Sequence, residues 1–306
     1  MRISYSAFDN YAGCPARYKF RYIDHISTEK KPEMEFGSLM HDIVCFALKK
    51  DPIIPAIEEL NELFDQKLPE INFPDELKAK QYAAVGKEMI KKFHESLKPG
   101  LRTTIATEKN FNIPLNEKHT LNGVIDRVDK LPYGAFEVVD YKTSFKPKTQ
   151  SETDKDKQLG IYKLAVENLW PDASDVRLTF HFLRPDIKLT TTRQKSDIET
   201  LKNEIIDIAD KIESDTEWQP KKNNLCDWCD FQHLCPLMKQ KVARQEDAPP
   251  QEIDNIVEQY LEANNIIKEL EPKIQKHFDQ EKIEAFHHKK GVISRSKKGK
   301  FTIRKK

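Results

Sequence analysis

The sequence predicts an α/β fold with a central mixed sheet flanked by helices, and three observations carry that reading. Helical periodicity dominates residues 1–98, β-branched alternation takes over between about 103 and 143, and the two then interleave up to residue 212. No internal repeat is visible.

The elements follow in order. Residues 4–22 are dense in aromatics (Tyr5, Phe8, Tyr11, Tyr18, Phe20, Tyr22) and predict a short helix broken at Cys14-Pro15, with a second starting at Pro15. Residues 36–49 place Leu39, Met40, Ile43, Val44 and Ala47 on one helical stripe. Charged helical segments punctuated by Pro69 and Pro74 fill 55–98, a helical insertion over about 50–100. Residues 103–115, 119–131 and 135–143 read as strands, with Pro132-Tyr133-Gly134 turning between the last two. A helix over 156–170, a strand pair over 176–183 and 188–194, and a helix over 197–212 follow. Ala248-Pro249-Pro250 reads as a linker. Residues 251–286 are expected to form an amphipathic helical hairpin broken near Pro272 and packed on the body. The domain expectation is thus a body over 1–244, a helical extension over 245–288 and a basic tail over 289–306, in which Val292-Ile293 and Phe301 to Ile303 pair as a short hairpin across Lys298-Gly299.

Charge is informative only once divided. The 306 residues carry a net +1, yet residues 289–306 hold nine Lys or Arg and no carboxylate, which leaves the remainder at −8. A body of that sign does not attract nucleic acid by bulk charge; it needs local basic patches, the tail or divalent cations. No apolar run could span a bilayer and the first residues lack a secretory h-region, so the expectation is a cytoplasmic protein (host cytoplasm if phage-encoded) with no membrane partner.

Two groups of residues carry chemistry. Asp140 and Lys142 lie two apart on one predicted strand and therefore share a face. Asp126 ends the neighbouring strand at hairpin distance. Two carboxylates converging without an obvious basic partner repel, and a bound Mg²⁺ or Mn²⁺ relieves that cost. The second group is Cys226-x2-Cys229-x5-Cys235 together with the distant Cys14. Five cysteines are too few for a disulfide scaffold of this length, and clustered thiolates suit either Zn²⁺ or an iron–sulfur cluster. A three-plus-one grouping across 211 intervening residues departs from the two local pairs usual for zinc and fits a cluster acting as a staple between the chain ends, which Trp228 and Phe231 would shield. Cys45, on an apolar helix, is left over as a buried free thiol.

The order Gly37-x3-His41, Gly123-x-Ile125-Asp126-Arg127, Asp140-Tyr141-Lys142 and Gln158-x3-Tyr162, opened by Ser6-x-Phe8-x2-Tyr11-x2-Cys14-Pro15-x2-Tyr18-x-Phe20-x-Tyr22, resembles the RecB-like branch of the PD-(D/E)XK nucleases. Within it the four cysteines resemble the iron–sulfur members, the AddB nuclease domain and the CRISPR-associated adaptation nucleases. The resemblance spans about residues 3–240. It implies a restriction-endonuclease-like core with a helical insertion and a C-terminal helical extension. It implies that His41, Asp126 and Asp140, with the Tyr141 carbonyl, hold Mg²⁺ or Mn²⁺, and that Lys142 is the catalytic lysine beside Asp126 and Asp140. It places Gln158, Tyr162 and Arg127 on the DNA side, and matches Glu108 loosely to an acidic residue on the preceding strand. It implies a [4Fe–4S] cluster on Cys14, Cys226, Cys229 and Cys235, and a deoxyribonuclease acting on single-stranded DNA or duplex ends, with exonuclease activity favoured. Gly-x4-Gly-Lys-Ser/Thr is absent, so any motor is a separate helicase or recombination protein. The alternatives are a non-catalytic DNA-binding or assembly subunit and a zinc-stapled interaction protein.

Overall fold

The structure, a computed structural model, describes residues 1–97, 103–173, 175–238, 252–295 and 301–305. It divides into two compact units, Met1–Leu237 and Met238–Lys306.

The first unit is built on a six-stranded mixed sheet. Its strands are β1 (Arg2–Ser4), β2 (Thr103–Pro114), β3 (Thr120–Lys130), β4 (Phe136–Lys142), β5 (Val176–Phe182) and β6 (Ile187–Thr191). β3 is the pivot. β2 runs antiparallel along it from Thr103↔Lys130 to Pro114↔Thr120, while β1 (parallel, Arg2↔Thr120 to Ser4↔Asn122) and β4 (antiparallel, Arg127↔Val139 to Lys130↔Phe136) also pair with it. β4 pairs parallel with β5, and β5 antiparallel with β6.

Side-chain alternation divides β4 between two cores. Phe136 and Val138 face a core shared with α1 (Tyr5–Gly13), α2 (Pro15–Tyr18), α7 (Lys157–Leu169) and α8 (Lys195–Ser214). Val139 and Tyr141 face a second core made by α3 (Pro32–Leu48), α4 (Ile57–Lys67) and α5 (Glu76–Ser96). Helices thus cover both faces, the three-layer arrangement the alternation of periodicities implies. The short α6 (Gln150–Asp154) precedes α7 and carries a Thr149–Glu152 capping box.

Local chemistry explains the helix limits near the site. Ser4 caps α1 by accepting from the Ala7 N–H at 3.2 Å, and Pro15 opens α2 at a position where no N–H is needed. Asp156 caps α7, accepting from the N–H groups of Gln158 (2.9 Å) and Leu159 (3.2 Å). One of the two motif glycines has a steric reason. At Gly123 a β-carbon would stand 2.6 Å from Phe111 Cζ, too close without a shift of that ring, whereas at Gly37 it would make only an ordinary 3.4 Å contact with Thr143 Oγ1.

His181 on β5 is 2 % exposed. Burial, only partly offset by its bond to Asp186, pushes its pKa down to about 4. The neutral ring is therefore the folded form, and the unfolded chain binds the proton first. The stability this gives is complete above the unfolded value of about 6.5 and is lost as pH falls toward 4. Denaturant unfolding is expected to show about 2 kcal/mol lost from this group between about pH 7 and about pH 5. His181→Phe should flatten that part of the profile.

The second unit holds α9 (Glu252–Glu281) and a three-stranded antiparallel sheet of β7 (Ala285–His288), β8 (Gly291–Arg295) and β9 (Phe301–Lys305). Two expectations are corrected here. α9 runs unbroken through Pro272 in place of a hairpin, and 285–288 is strand where helix was expected. Val292 pairs with Arg304 and Ile293 with Ile303, whereas the expected turn at Lys298-Gly299 and the linker at 248–250 lie outside the described residues. Phe278 is 2 % exposed and meets Phe301 edge-on at 5.5 Å, which gives this unit a small core of its own.

Candidate active site

The site forms where β3 and β4 part. Their ladder ends at Arg127↔Val139, so Asp126 and Asp140 stand one step beyond it, opposite one another. The Tyr141 N–H bonds the Asp126 carboxylate there, Oδ2 accepting at 2.9 Å. Asp140 is 2 % exposed, on the same face as Val138, and its Oδ1 accepts from the Tyr162 hydroxyl at 3.0 Å. Lys142 Nζ lies 2.6 Å from Asp140 Oδ2 and donates to Gln158 Oε1 at 2.9 Å; Gln158 Nε2 in turn donates to the Tyr162 hydroxyl at 3.0 Å. α7, capped by Asp156, presents Gln158 and Tyr162 one turn apart, which closes a ring of four side chains. From the opposite layer, α3 brings His41 Nδ1 to 3.3 Å from Asp126 Oδ2.

The electrostatics follow from this packing. Burial raises the pKa of Asp140; the Lys142 ammonium pulls it back, and the Asp126 charge raises it again. For His41, burial alone would lower the pKa, but the bond to Asp126 and the charges of Asp126 and Asp140 outweigh it, and the net shift is upward. Tyr162 is held well above its ordinary value by burial and by Asp140, so it stays a hydroxyl donor. Asp140 Oδ2 is the telling atom. It is buried and lacks a well-directed hydrogen bond; Lys142 is close enough to pair by charge but off the direction such a bond requires. A buried, under-satisfied carboxylate oxygen, with a second carboxylate on the adjoining strand and an imidazole beside that second carboxylate, is a donor set of the kind that takes a hard divalent cation.

Arg127 is a correction. It is 8 % exposed, its Nε donates to Asp129 Oδ1 at 2.7 Å, its Nη2 bonds Asp129 Oδ2, and its Nη1 donates to the Tyr141 hydroxyl at 2.8 Å. A guanidinium so enclosed braces β3 against β4 and is not presented to DNA. Glu108 sits between the residues paired with Arg127 and Ile125, at a left-handed φ of 47°, and its carboxylate accepts from Cys45 Sγ on α3 (2.8 Å) and from Nζ of Lys49, the residue that follows α3 (3.1 Å). Cys45 is buried as expected, with Glu108 as its acceptor. Lys148, which the sequence reading passed over, ion-pairs with the capping Asp156, and its ammonium shares the Phe180 ring with that of Lys142, at 5.1 and 5.0 Å. The readable signal was an Asp at a helix N-cap eight residues after a lysine.

The chain ends meet elsewhere in this unit. Lys221 N–H points to Cys14 Sγ at 3.4 Å and Asn223 N–H to Cys226 Sγ at 3.3 Å, while the Asn223 amide donates to Gly13 O at 2.9 Å and Lys221 Nζ to Ala12 O at 3.2 Å. Burial raises the Cys229 pKa, and the Cys14 thiol adds to the rise. Phe231 is fully buried and packs on Phe20 at 5.6 Å. Trp228, expected as a second shield, is 81 % exposed.

Comparison with known proteins accords with this geometry. The model of the PD-(D/E)XK nuclease superfamily matches residues 2–236, and the chain belongs to that superfamily. Among solved structures, one similar chain is a protein from Eubacterium rectale described provisionally as an exonuclease. It is 12 % identical, with a TM-score of 0.48, over 83 % of this chain and 92 % of that one. Another is SSO0001, 15 % identical, with a TM-score of 0.37, over 78 % and 86 %. No curated protein matches the chain.

Proposed function

We propose that the protein is a divalent-metal-dependent deoxyribonuclease that hydrolyses phosphodiester bonds in single-stranded DNA or at duplex ends, as an exonuclease. The observation that carries this is the placement of Asp126 and Asp140 opposite one another just beyond the β3–β4 ladder, with His41 3.3 Å from Asp126 Oδ2 and Lys142 2.6 Å from the under-satisfied Asp140 Oδ2. Asp126, Asp140 and His41, with the Tyr141 carbonyl, would hold Mg²⁺ or Mn²⁺. When bound, such an ion supplies Lewis-acid polarisation of the phosphate and a water of lowered pKa. Lys142 keeps its ammonium at the site through Asp140 and Gln158, where it neutralises charge developing on the phosphate. Tyr162 and Gln158 fix Asp140 and Lys142 in register, so little reorganisation remains at the moment of reaction. Among the described residues no helix is long and apolar enough to cross a membrane. A separate helicase or recombination protein is the partner class that suits a nuclease without a motor.

The same reading assigns Cys14, Cys226, Cys229 and Cys235 to a [4Fe–4S] cluster. The thiols of opposite chain ends share one locality, and backbone N–H groups aim at two of the sulfurs.

The test is degradation of end-labelled single-stranded DNA by the full chain. Cleavage that requires Mg²⁺ or Mn²⁺ and stops on chelation is the expected result; DNA binding without cleavage under those conditions would replace the nuclease by the non-catalytic subunit.

A further inference from the structure

The segment that follows Lys142 carries Phe145, whose side chain is 70 % exposed. A single exposed aromatic is ordinary on a protein surface. Its setting is not. The Arg184 guanidinium lies over the Phe145 ring at 5.1 Å, so one face is backed by a cation and the ring stands as a supported plate. Arg184 is anchored from two sides. The preceding residue, Leu183, donates its N–H to Lys142 O at 2.8 Å, and Lys92 Nζ on α5 donates to Arg184 O at 3.3 Å. Thr143 lies against Gly37 of α3, one turn before His41. The Phe145–Arg184 pair therefore stands at the C-terminal end of β4, a few residues from both Lys142 and the helix that carries His41. Lys146 and Lys148 follow on the same segment, which interleaves cations with the aromatic.

We propose that Phe145, backed by Arg184, is a stacking platform for one unpaired nucleobase of the DNA strand held in the active site. The inference rests on the nuclease reading above and deepens it by naming what selects the strand. Every base has a π-face that an aromatic side chain accepts without reading sequence, and aromatic stacking contributes substantially to single-strand binding. In a duplex those faces are already covered by neighbouring base pairs, so the plate favours a single strand or a frayed end. Arg184 adds a cation to the stack, and Lys146, next to Phe145 in the chain, adds positive charge for the phosphates of that strand.

The experiment uses the full chain with Mg²⁺ or Mn²⁺ and end-labelled oligonucleotides that carry one abasic position, moved stepwise along the strand. For wild type, one abasic position relative to the cut is expected to raise KM by about 5- to 50-fold. Phe145→Ala is expected to raise KM on intact single strands by a similar factor, with a much smaller effect on kcat, and to respond no further to that abasic position. Phe145→Trp should restore the wild-type pattern, which a merely structural role for the ring would not produce. An unchanged KM for Phe145→Ala, or an abasic penalty that persists in full in that variant, overturns the platform while leaving the nuclease intact. If wild type neither binds nor cuts DNA, the nuclease reading falls, and the platform with it.

Discussion

Lys142→Ala is expected to lower divalent-dependent cleavage of single-stranded DNA by about a thousandfold or more, the range seen when a group that stabilises developing charge is removed. The structure gives two routes to that loss. The ammonium lies 2.6 Å from Asp140 Oδ2 and 2.9 Å from Gln158 Oε1, and under the proposed function it would neutralise charge developing on the phosphate. It also holds down the pKa of a buried carboxylate that burial and Asp126 both push up. Without it Asp140 is harder to ionise, and an un-ionised Asp140 is a poor metal ligand. The pH profile distinguishes the routes. If protonation of Asp140 were the whole effect, raising the pH would restore activity. If the ammonium acts on the phosphate, the deficit persists at every pH, and this second pattern is the one expected. Full activity of Lys142→Ala would remove the lysine from the mechanism.

Under the proposed [4Fe–4S] assignment, Cys14→Ser is expected to release the cluster and to lower the thermal midpoint of the first unit by about 10 °C. Cys14 follows α1, and the Cys226–Cys235 loop follows α8, so a centre bridging them closes a loop of more than two hundred residues. Closing so long a loop removes several kcal/mol of unfolded-state entropy, and about 1 kcal/mol corresponds to 2–4 °C for a unit of this size. The contacts that remain without the centre include the hydrogen bonds of Asn223 to Gly13 and Lys221 to Ala12 and the packing of Phe231 on Phe20. Iron and sulfide content after anaerobic purification, with the visible absorbance, gives the first readout and a melting curve the second. Cys45→Ser is the control, since that thiol lies on α3 and donates to Glu108 of β2. Loss of iron with no change in melting would make the cluster an ornament of the fold rather than its staple.

What could be read from sequence was set by periodicity. A two-residue repeat is enough to place Asp140 and Lys142 on one face, and Cys14-Pro15 is enough to break a helix. The sequence of helical and alternating segments likewise implied helices on both sides of a mixed sheet. β1 escaped notice because three residues carry no period; it exists only through its pairing with Thr120 to Asn122. Arg127 was misplaced because a charged residue beside a metal ligand reads as solvent-facing. The missed clue was Asp129, two residues on and therefore on the same face, which supplies a buried partner at 2.7 Å. α9 defeated the reading at Pro272, since a proline inside a 30-residue amphipathic pattern suggests a break that the long flanking turns override. Phe145 had no sequence signal at all. Its setting depends on Arg184, brought beside it by the parallel pairing of β4 with β5.

The most direct measurement is a Mn²⁺ titration of the full chain followed by electron paramagnetic resonance, for wild type and for Asp140→Asn. Saturable binding in wild type that disappears in Asp140→Asn, with no loss of thermal stability in the metal-free variant, is the predicted result, because the substitution removes a buried charge that the metal-free fold holds at a cost. Equal Mn²⁺ binding by the two proteins, or none by wild type, would contradict the assignment of Asp126 and Asp140 to one cation site.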